Sequence, residues 1–416
     1  MISISYSELS RTIHQHYAGR RVLLEVAIEV THRCPLQCVQ CYNNLAVGDR
    51  AARQRELSLA EHCRLLDELA DLGCLWVLFT GGEIFARPDF LEIYTYAKKK
   101  GFLITLFTNA ILIDQRVADY LAEWPPFSIE VTVYGMTKAT YESVTKIPGS
   151  YERCLRGIEL LRQRQLPLKL KTVAVKLNCH ELSALRQHAE DDLQVEFKLD
   201  SLLNPRIDGS QAPLAERLSP EQVVAVEMQT PKVAAEYRAL YARDCGQPAP
   251  TELDDKLYIC GGGINSCAID PYGRVGICVM AQQETYDLRK TGLKDGWDNF
   301  LQHARAQKRT HETRCSSCRL QSVCGMCPAW GALENGDAES PVEFLCEVAH
   351  LRAMALGAVV PEHGPCQYCA GGAQNGRLKQ AAENIAALSP ADLGCIPAAE
   401  SLFTVLGEGV NGQCQC

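Results

Sequence analysis

The chain has 416 residues, 47% hydrophobic and 22% charged, which is long enough for a large core and more than one domain. The net charge is -8 and no basic run occurs, so the composition gives no case for a nucleic-acid partner. The polar N-terminus has no apolar signal segment, and every apolar run is too short to cross a bilayer. We therefore predict a cytoplasmic protein with no membrane partner.

Between residues 20 and 230, short apolar runs alternate with longer amphipathic segments. The short runs predict six strands, at residues 22–30, 75–79, 103–107, 128–133, 168–175 and 195–202. The amphipathic segments predict helices at residues 59–72, 88–98, 115–123, 151–163, 181–191 and 220–228. Six such units indicate an α/β fold with a parallel sheet rolled into a partial barrel, whose chemistry lies at the C-terminal strand ends.

Cysteine is unusually frequent, with 21 residues clustered at short spacings. In a reducing compartment such clusters indicate metal sites or redox chemistry rather than disulfides. The composition changes after the barrel, where Gly and Cys become frequent. We therefore predict five segments: an N-terminal segment (1–20), a barrel (21–235), a connector (236–256), a small metal-organised domain (257–350) and a short helical C-terminal extension (351–416).

The first cysteine group follows the first predicted strand and reads CPLQCVQCY, from Cys34 through Cys38 and Cys41 to Tyr42. Three thiolates on one loop can bind three irons of a [4Fe–4S] cube and leave the fourth iron open. The alternative is a zinc loop, for which His32 would supply the fourth ligand.

This loop resembles the cluster-binding loop of the radical S-adenosylmethionine (SAM) superfamily. The resemblance implies a partial (β/α)6 TIM barrel in which the cofactor's methionyl amine and carboxylate bind the open iron. It also implies reductive cleavage of the cofactor to a 5′-deoxyadenosyl radical, which removes hydrogen from the substrate. Cys34, Cys38 and Cys41 are then the catalytic cluster ligands, and Tyr42 lies beside the cofactor.

The second predicted strand ends in Gly81, Gly82 and Glu83, similar to the family's GGE motif that holds the methionyl amine. Glycines permit a close backbone approach, and a carboxylate accepts from a cationic amine. Polar residues end three later strands, and the resemblance implies that they contact the cofactor's ribose and carboxylate; capping of strand ends is the alternative. These residues are Asn109, Glu130, Thr132 and Asn178.

The second cysteine group resembles the SPASM domain of peptide-modifying radical enzymes. By resemblance, one auxiliary [4Fe–4S] cluster is bound by Cys260, Cys267, Cys278 and Cys327. The second is bound by Cys315, Cys318, Cys324 and Cys346. The gap between Cys324 and Cys327 is one residue shorter than is common in the family, and a zinc ribbon is the alternative for the two CxxC pairs.

Ten of the 21 cysteines lie outside the resemblance, and four of these form two closely spaced pairs: Cys366 with Cys369, and Cys414 with Cys416. They form either a further metal site, for zinc or a cluster, or a redox pair at Cys366 and Cys369. Mimicry of a cysteine-containing substrate and flexible cysteines without a site are the remaining alternatives.

The resemblance implies a maturase of a ribosomally made peptide, which forms a thioether, a carbon–carbon crosslink or an epimer. It also implies three [4Fe–4S] clusters and a flavodoxin or ferredoxin-type electron donor. About 20 residues precede the first strand, so we expect a separate leader-binding protein or the C-terminal extension to recognise the leader. The alternatives are a radical enzyme acting on a sugar, aminocyclitol or tetrapyrrole, and a sulfatase-maturating-like enzyme, against which Val279 counts because related enzymes carry Asp there.

Overall fold

The computed structural model describes residues 6–43, 45–245, 255–358, 360, 363 and 366–387. These residues form two compact units. The first unit comprises residues 1–217, 249–318 and 325–342, and the second comprises residues 218–248, 319–324 and 343–416, with the undescribed positions excepted. No described helix is both long enough and apolar enough to cross a membrane.

The first unit is built on a nine-stranded sheet. Its long strands are β1 (Glu25–Thr31), β4 (Trp76–Gly81), β5 (Leu103–Thr108), β6 (Ser128–Thr132), β7 (Leu168–Val173) and β8 (Glu196–Asp200). Two short segments, β2 (Arg33–Cys34) and β3 (Leu45–Ala46), pair separately. The six long strands are parallel neighbours, which confirms the predicted α/β barrel-type core.

The sequence of each strand fits its place in the sheet. The central strand β1 (EVAIEVT) is buried along most of its length, as expected when helices or loops cover both faces of a parallel sheet. The edge strand β8 (EFKLD) has no fully buried residue and alternates charged with apolar side chains. Charges on an edge strand discourage pairing with another chain.

Three strands of the cysteine-rich region extend this sheet beyond β1: β9 (Ser266–Ile269), β10 (Arg274–Gly276) and β11 (Tyr286–Asp287). Strand β9 pairs in parallel with β1, so that Cys267 lies opposite Val26. Strand β10 pairs antiparallel with β9, and β11 pairs antiparallel with β10. The full order of the sheet is β11-β10-β9-β1-β4-β5-β6-β7-β8. The region predicted as a separate small domain therefore shares a sheet with the barrel core.

Helices flank the strands of the first unit: α1 (Tyr6–His16), α2 (Arg50–Arg55), α3 (Leu59–Asp71), α4 (Phe90–Lys99), α5 (Gln115–Glu123), α6 (Lys138–Thr145), α7 (Ser150–Gln163) and α8 (Leu182–Gln187). Several begin where a polar residue caps the free N–H groups, as in the reciprocal capping box of Ser58 and Glu61 at α3. Helix α6 is absent from the sequence prediction because it is short and joins α7 through a tight turn.

The second unit contains helices α9 (Pro220–Met228), α10 (Pro231–Leu240), α14 (Gln321–Cys324), α16 (Glu343–Ala355) and α17 (Asn375–Ala386). The short helices α11 (Leu288–Thr291), α12 (Leu293–Asp295), α13 (Gln302–Ala306) and α15 (Pro328–Asn335) belong to the first unit. Within the second unit, the buried Arg352 donates two 2.8 Å hydrogen bonds to Glu227. A buried charge is tolerated when it is paired and hydrogen-bonded in this way.

Candidate cluster and cofactor site

The three cysteines of the CPLQCVQCY loop follow β1. Cys34 is the last residue of the short strand β2, and Cys38 and Cys41 come after it. Cys34 is buried, whereas Cys38 and Cys41 are half-buried. Backbone N–H groups of Gln37 and Val39 donate to carbonyls at the C-terminal end of α6, at 3.0 and 3.1 Å, and hold the loop. The loop is thus fixed at the C-terminal edge of the parallel sheet, where the sequence predicts the chemistry.

The pKa values of Cys34 and Cys38 are raised in the folded chain. Burial raises the pKa of Cys34 and Cys38, and the negative charge of Cys41 raises both further. Two N–H groups oppose this at Cys34: the backbone of Leu36 and the side chain of Asn109 each donate to its sulfur at 3.4 Å. Thiols so arranged ionise when a cation replaces the lost solvation, which fits the binding of an iron cluster.

The two glycines after β4 let backbone approach backbone. The N–H of Gly82 donates to the carbonyl of Thr31 at 2.7 Å. A Cβ on Gly82 would lie 2.5 Å from the Arg33 carbonyl oxygen and 2.6 Å from that of His32. Gly81 also has a positive φ of 125°. The GGE turn therefore packs against the chain that leads into the cysteine loop, and the cofactor contact of its glycines stays a prediction.

Glu83 is fully buried and connects this turn to the end of β5. Its carboxylate accepts from the hydroxyl of Thr108 and the backbone N–H of Asn109, both at 2.8 Å, and from the N–H of Phe85 at 3.2 Å. Burial raises the pKa of Glu83 to about 7 despite these donors. Glu83 and Asn109, predicted from separate motifs, are thus brought together beside Cys34.

A second buried carboxylate, Glu29 in β1, is a site residue that the sequence analysis missed. It accepts from the hydroxyl of Tyr42 at 2.6 Å and from the side-chain amide of Asn43 at 3.2 Å. The ring of His32 lies 3.1 Å from its other oxygen. Tyr42, predicted to lie beside the cofactor, therefore anchors the end of the cysteine loop to β1. The sequence feature that could have identified this network is the charged residue Glu29 within a largely apolar strand.

Glu130 is a buried carboxylate on β6 that is paired with two lysines. Lys198 forms an ion pair with one oxygen, and Lys171 lies 3.9 Å from the other. Lys171 also lies over the ring of Phe107, 2.7 Å from its centroid. Burial, reinforced by the charge of Lys198, lowers the pKa of Lys171 to about 7 although Glu130 opposes the shift. Neither lysine was identified from the sequence.

Thr132 lies two residues beyond Glu130, on the same face of β6, and is half-buried. Asn178 is fully buried after β7, and its side-chain amide bonds to its own loop. Its oxygen accepts from the N–H of Val175 at 2.9 Å, and its nitrogen donates to the carbonyl of Val173 at 3.0 Å. Asn178 therefore shapes the loop after β7, and cofactor contacts of Thr132 and Asn178 stay predictions.

The four cysteines predicted to bind the first auxiliary cluster all lie in the first unit. Burial raises the pKa of Cys278 and of Cys327. The negative charges of Cys278 and Cys260 raise the pKa of Cys327 further. Cys267 on β9 differs, because burial raises its pKa to about 12 and Arg21 opposes that shift. Burial also raises the pKa of Cys74, and the negative charge of Cys267 raises it further.

The four cysteines predicted to bind the second auxiliary cluster are divided between the two units. Cys315 and Cys318 in the first unit are half-buried. Burial raises the pKa of Cys315, and the negative charge of Cys318 raises it further. In the second unit, Cys324 is buried and Cys346 is half-buried on α16. Cys414 and Cys416 of the predicted tail site lie outside the described residues.

Residues 28–187 match the family model of the Radical SAM superfamily. The chain is 27% identical over 328 residues to a PqqA peptide cyclase of Bradyrhizobium diazoefficiens, covering 76% of this chain and 84% of that protein. It is 24% identical to an AdoMet-dependent heme synthase of Methanosarcina barkeri, covering 75% of this chain and 93% of that protein.

The crystal structure of Streptococcus suis SuiB bound to precursor peptide SuiA shares the fold, with a TM-score of 0.59 and 15% identity over 83% of this chain and 82% of that chain. Membership of this superfamily implies S-adenosylmethionine and a [4Fe–4S] cluster as cofactors. The buried thiols, the GGE turn and the parallel sheet agree with the sequence match. Residues 28–187 therefore form a domain of the Radical SAM superfamily, and about three quarters of the chain aligns with the two enzymes named above.

Proposed function

We propose that this chain is a maturase of a ribosomally made peptide, which removes hydrogen from a peptide residue to form a thioether, a carbon–carbon crosslink or an epimer. The observation that carries the proposal is its likeness to PqqA peptide cyclase, which covers 76% of this chain and 84% of that protein. The fold shared with SuiB, whose structure holds a precursor peptide, agrees with a peptide substrate.

The chain's own residues hold the cofactors and keep the site dry. In this proposal Cys34, Cys38 and Cys41 bind three irons of the cluster, and S-adenosylmethionine on the fourth iron supplies the 5′-deoxyadenosyl radical. Glu83 and Asn109 lie beside Cys34, where a carboxylate and an amide can orient the methionyl group. Their burial excludes water that would otherwise compete for these hydrogen bonds.

Glu130 on β6 forms ion pairs with Lys171 on β7 and Lys198 on β8. Glu130 is among the predicted cofactor contacts, and its two lysine partners orient its carboxylate. Burial lowers the pKa of Lys171, while the negative charge of Glu130 raises it.

The test uses anaerobically reconstituted full-length enzyme with S-adenosylmethionine, a chemical reductant and short peptides encoded beside its gene. A crosslink removes two hydrogens, so mass spectrometry should show a peptide lighter by about 2 Da together with one equivalent of 5′-deoxyadenosine. An epimer would leave the mass unchanged and is detected by deuterium incorporation from D₂O. Deoxyadenosine formation without any change in the peptides would refute the proposal.

The second candidate is a radical enzyme that acts on a tetrapyrrole. The match to AdoMet-dependent heme synthase, which covers 93% of that protein, favours it. An iron coproporphyrin serves as the probe in the same assay. Oxidation of its propionate side chains with no change in any peptide would select this candidate.

The auxiliary clusters belong to the proposal as well, with the two sets of four cysteines as their ligands. Three cubes predict about twelve irons per chain. Replacing Cys318 by Ala should preserve basal cofactor cleavage but reduce peptide turnover, because the second auxiliary cluster would lose a ligand. We further propose a flavodoxin or ferredoxin-type electron donor and a separate leader-binding protein. Full turnover and full iron content in the Cys318→Ala variant would contradict the assignment.

A further inference from the structure

A compact group of metal-binding side chains lies in the second unit, outside the radical SAM motifs. It consists of His350, His363, Cys366 and Cys369, whose ligand atoms all lie within 4.8 Å of one another. His350, His363 and Cys369 are buried, with 2%, 5% and 3% of their surfaces exposed, and Cys366 is half-buried. Four soft or borderline ligands that share one buried point are the donor set of a structural zinc site.

The distances between the ligand atoms fit one tetrahedral ion. Nε2 of His350 lies 3.4 Å from the sulfur of Cys366 and 3.7 Å from that of Cys369. The sulfur of Cys369 lies 3.5 Å from Nδ1 and 3.7 Å from Nε2 of His363. Zinc bonds of about 2.3 Å to sulfur and about 2.0–2.1 Å to nitrogen give a tetrahedral edge of about 3.6 Å.

The backbone sets the orientation of His350. Its Nδ1 lies 2.7 Å from the carbonyl oxygen of Cys346, one turn earlier on α16. Because that carbonyl can only accept, Nδ1 carries the proton and Nε2 presents its lone pair to the two sulfurs. Histidines that bind metals usually donate their other N–H to such a partner.

The CxxC turn is itself built to a fixed shape. A Cβ on Gly372 would lie 2.6 Å from the carbonyl oxygen of Cys366, so only glycine fits where the chain folds back over the turn. The buried side chain of Asn375 donates to the carbonyl of Tyr368 at 2.8 Å. The hydroxyl of Tyr368 in turn donates to Glu343 on α16 at 2.6 Å. The turn is therefore anchored both to α16 and to the start of α17.

We propose that His350, His363, Cys366 and Cys369 bind a single zinc ion that stabilises the second unit. A [4Fe–4S] cube does not fit this group, because thiolates on different irons point outward from its corners and lie farther apart. The small apolar core of this unit gives a reason for a metal, since small units commonly need an additional crosslink.

The proposed zinc site contains two of the four tail cysteines for which the sequence analysis considered a metal site. One of the alternatives for the tail places Cys366 and Cys369 in a metal site together with Cys414 and Cys416, which lie outside the described residues. Two histidines complete the site within the described part of the chain, so the proposal requires neither terminal cysteine. A four-thiolate site, a tail iron–sulfur cluster and a redox pair are the outcomes that the test must separate from it.

The test measures zinc and iron in full-length protein purified and reconstituted without oxygen, with X-ray absorption at the zinc edge. We expect about one zinc per chain, with two sulfurs at about 2.3 Å and two nitrogens at about 2.0–2.1 Å. The Cys366→Ser/Cys369→Ser variant should lose this zinc and keep its iron. The matched control is Cys63→Ser, at a half-buried cysteine on α3, which should keep both.

A second variant keeps the proposal testable if the double substitution prevents folding. His350→Cys should retain zinc and change its shell to three sulfurs and one nitrogen, since a thiolate replaces one imidazole at the same place. Four sulfurs in the unsubstituted protein, zinc unchanged in the double variant, or loss of iron along with zinc would each overturn the proposal. None of these readouts depends on peptide modification, so failure of the proposed function leaves this test intact.

Discussion

His62 on α3 is a buried histidine with no hydrogen-bond partner on either ring nitrogen among the described residues. It lies on the apolar face of the helix with Leu65, Leu66 and Leu69. Burial and the nearby Arg87 lower its pKa from 6.5 to about 3. The folded protein therefore holds His62 neutral at a pH where the unfolded chain is protonated.

The sign of the effect follows from proton uptake. Because the folded-state pKa is depressed, the unfolded state binds more protons between pH 6.5 and about 3, so stability is present above pH 6.5 and is lost as the pH falls. Each unit of pKa shift corresponds to about 1.4 kcal/mol. Between pH 7 and pH 5 this single residue should reduce the free energy of unfolding by about 2 kcal/mol.

The assay compares thermal unfolding at pH 7 and pH 5 for the unsubstituted protein, His62→Leu and His303→Leu, the last at an exposed histidine on α13. His62→Leu should show a smaller fall in unfolding temperature by a few degrees, since leucine has a similar volume and does not titrate. His303→Leu should behave like the unsubstituted protein. Equal acid sensitivity in all three proteins would refute the reasoning.

Three further predictions concern the cluster site. Replacing Cys34, Cys38 and Cys41 together by Ala should remove S-adenosylmethionine cleavage and about four irons per chain, measured by deoxyadenosine formation and iron analysis. Gly82→Ala should lower both quantities, because the new methyl group would overlap a carbonyl of the chain entering the cysteine loop. Tyr42→Phe should cost about 1–3 kcal/mol, measured by thermal unfolding, because a buried carboxylate loses a donor.

Matched variants separate these effects from general damage. Gly48→Ala is the control for Gly82→Ala, because a Cβ at Gly48 meets no atom within 4 Å. Tyr6→Phe, at an exposed tyrosine, is the control for Tyr42→Phe. Cofactor cleavage that survives loss of the three cysteines would contradict the catalytic assignment. A fully active Gly82→Ala variant, or an equally stable Tyr42→Phe variant, would contradict the packing argument for that residue.

The sequence by itself determined the local features of the barrel and its motifs. Apolar runs of five to nine residues between amphipathic segments marked the six parallel strands, because the inner strands of a parallel sheet are largely buried. The cluster loop was predicted from the spacing of Cys34, Cys38 and Cys41, because one short loop supplies all three thiols. Glu83 and Asn109 were likewise found from the motifs that end their strands.

Only the tertiary structure decided which distant residues meet. The pairing of β9 with β1 joins segments more than 230 residues apart, and no local pattern encodes that register. The partners of Glu29 come from the far side of the cysteine loop. His350 meets the CxxC turn because α16 and the following chain fold back on each other. Propensity and periodicity act over one or two turns of chain, whereas these contacts depend on how complete elements pack.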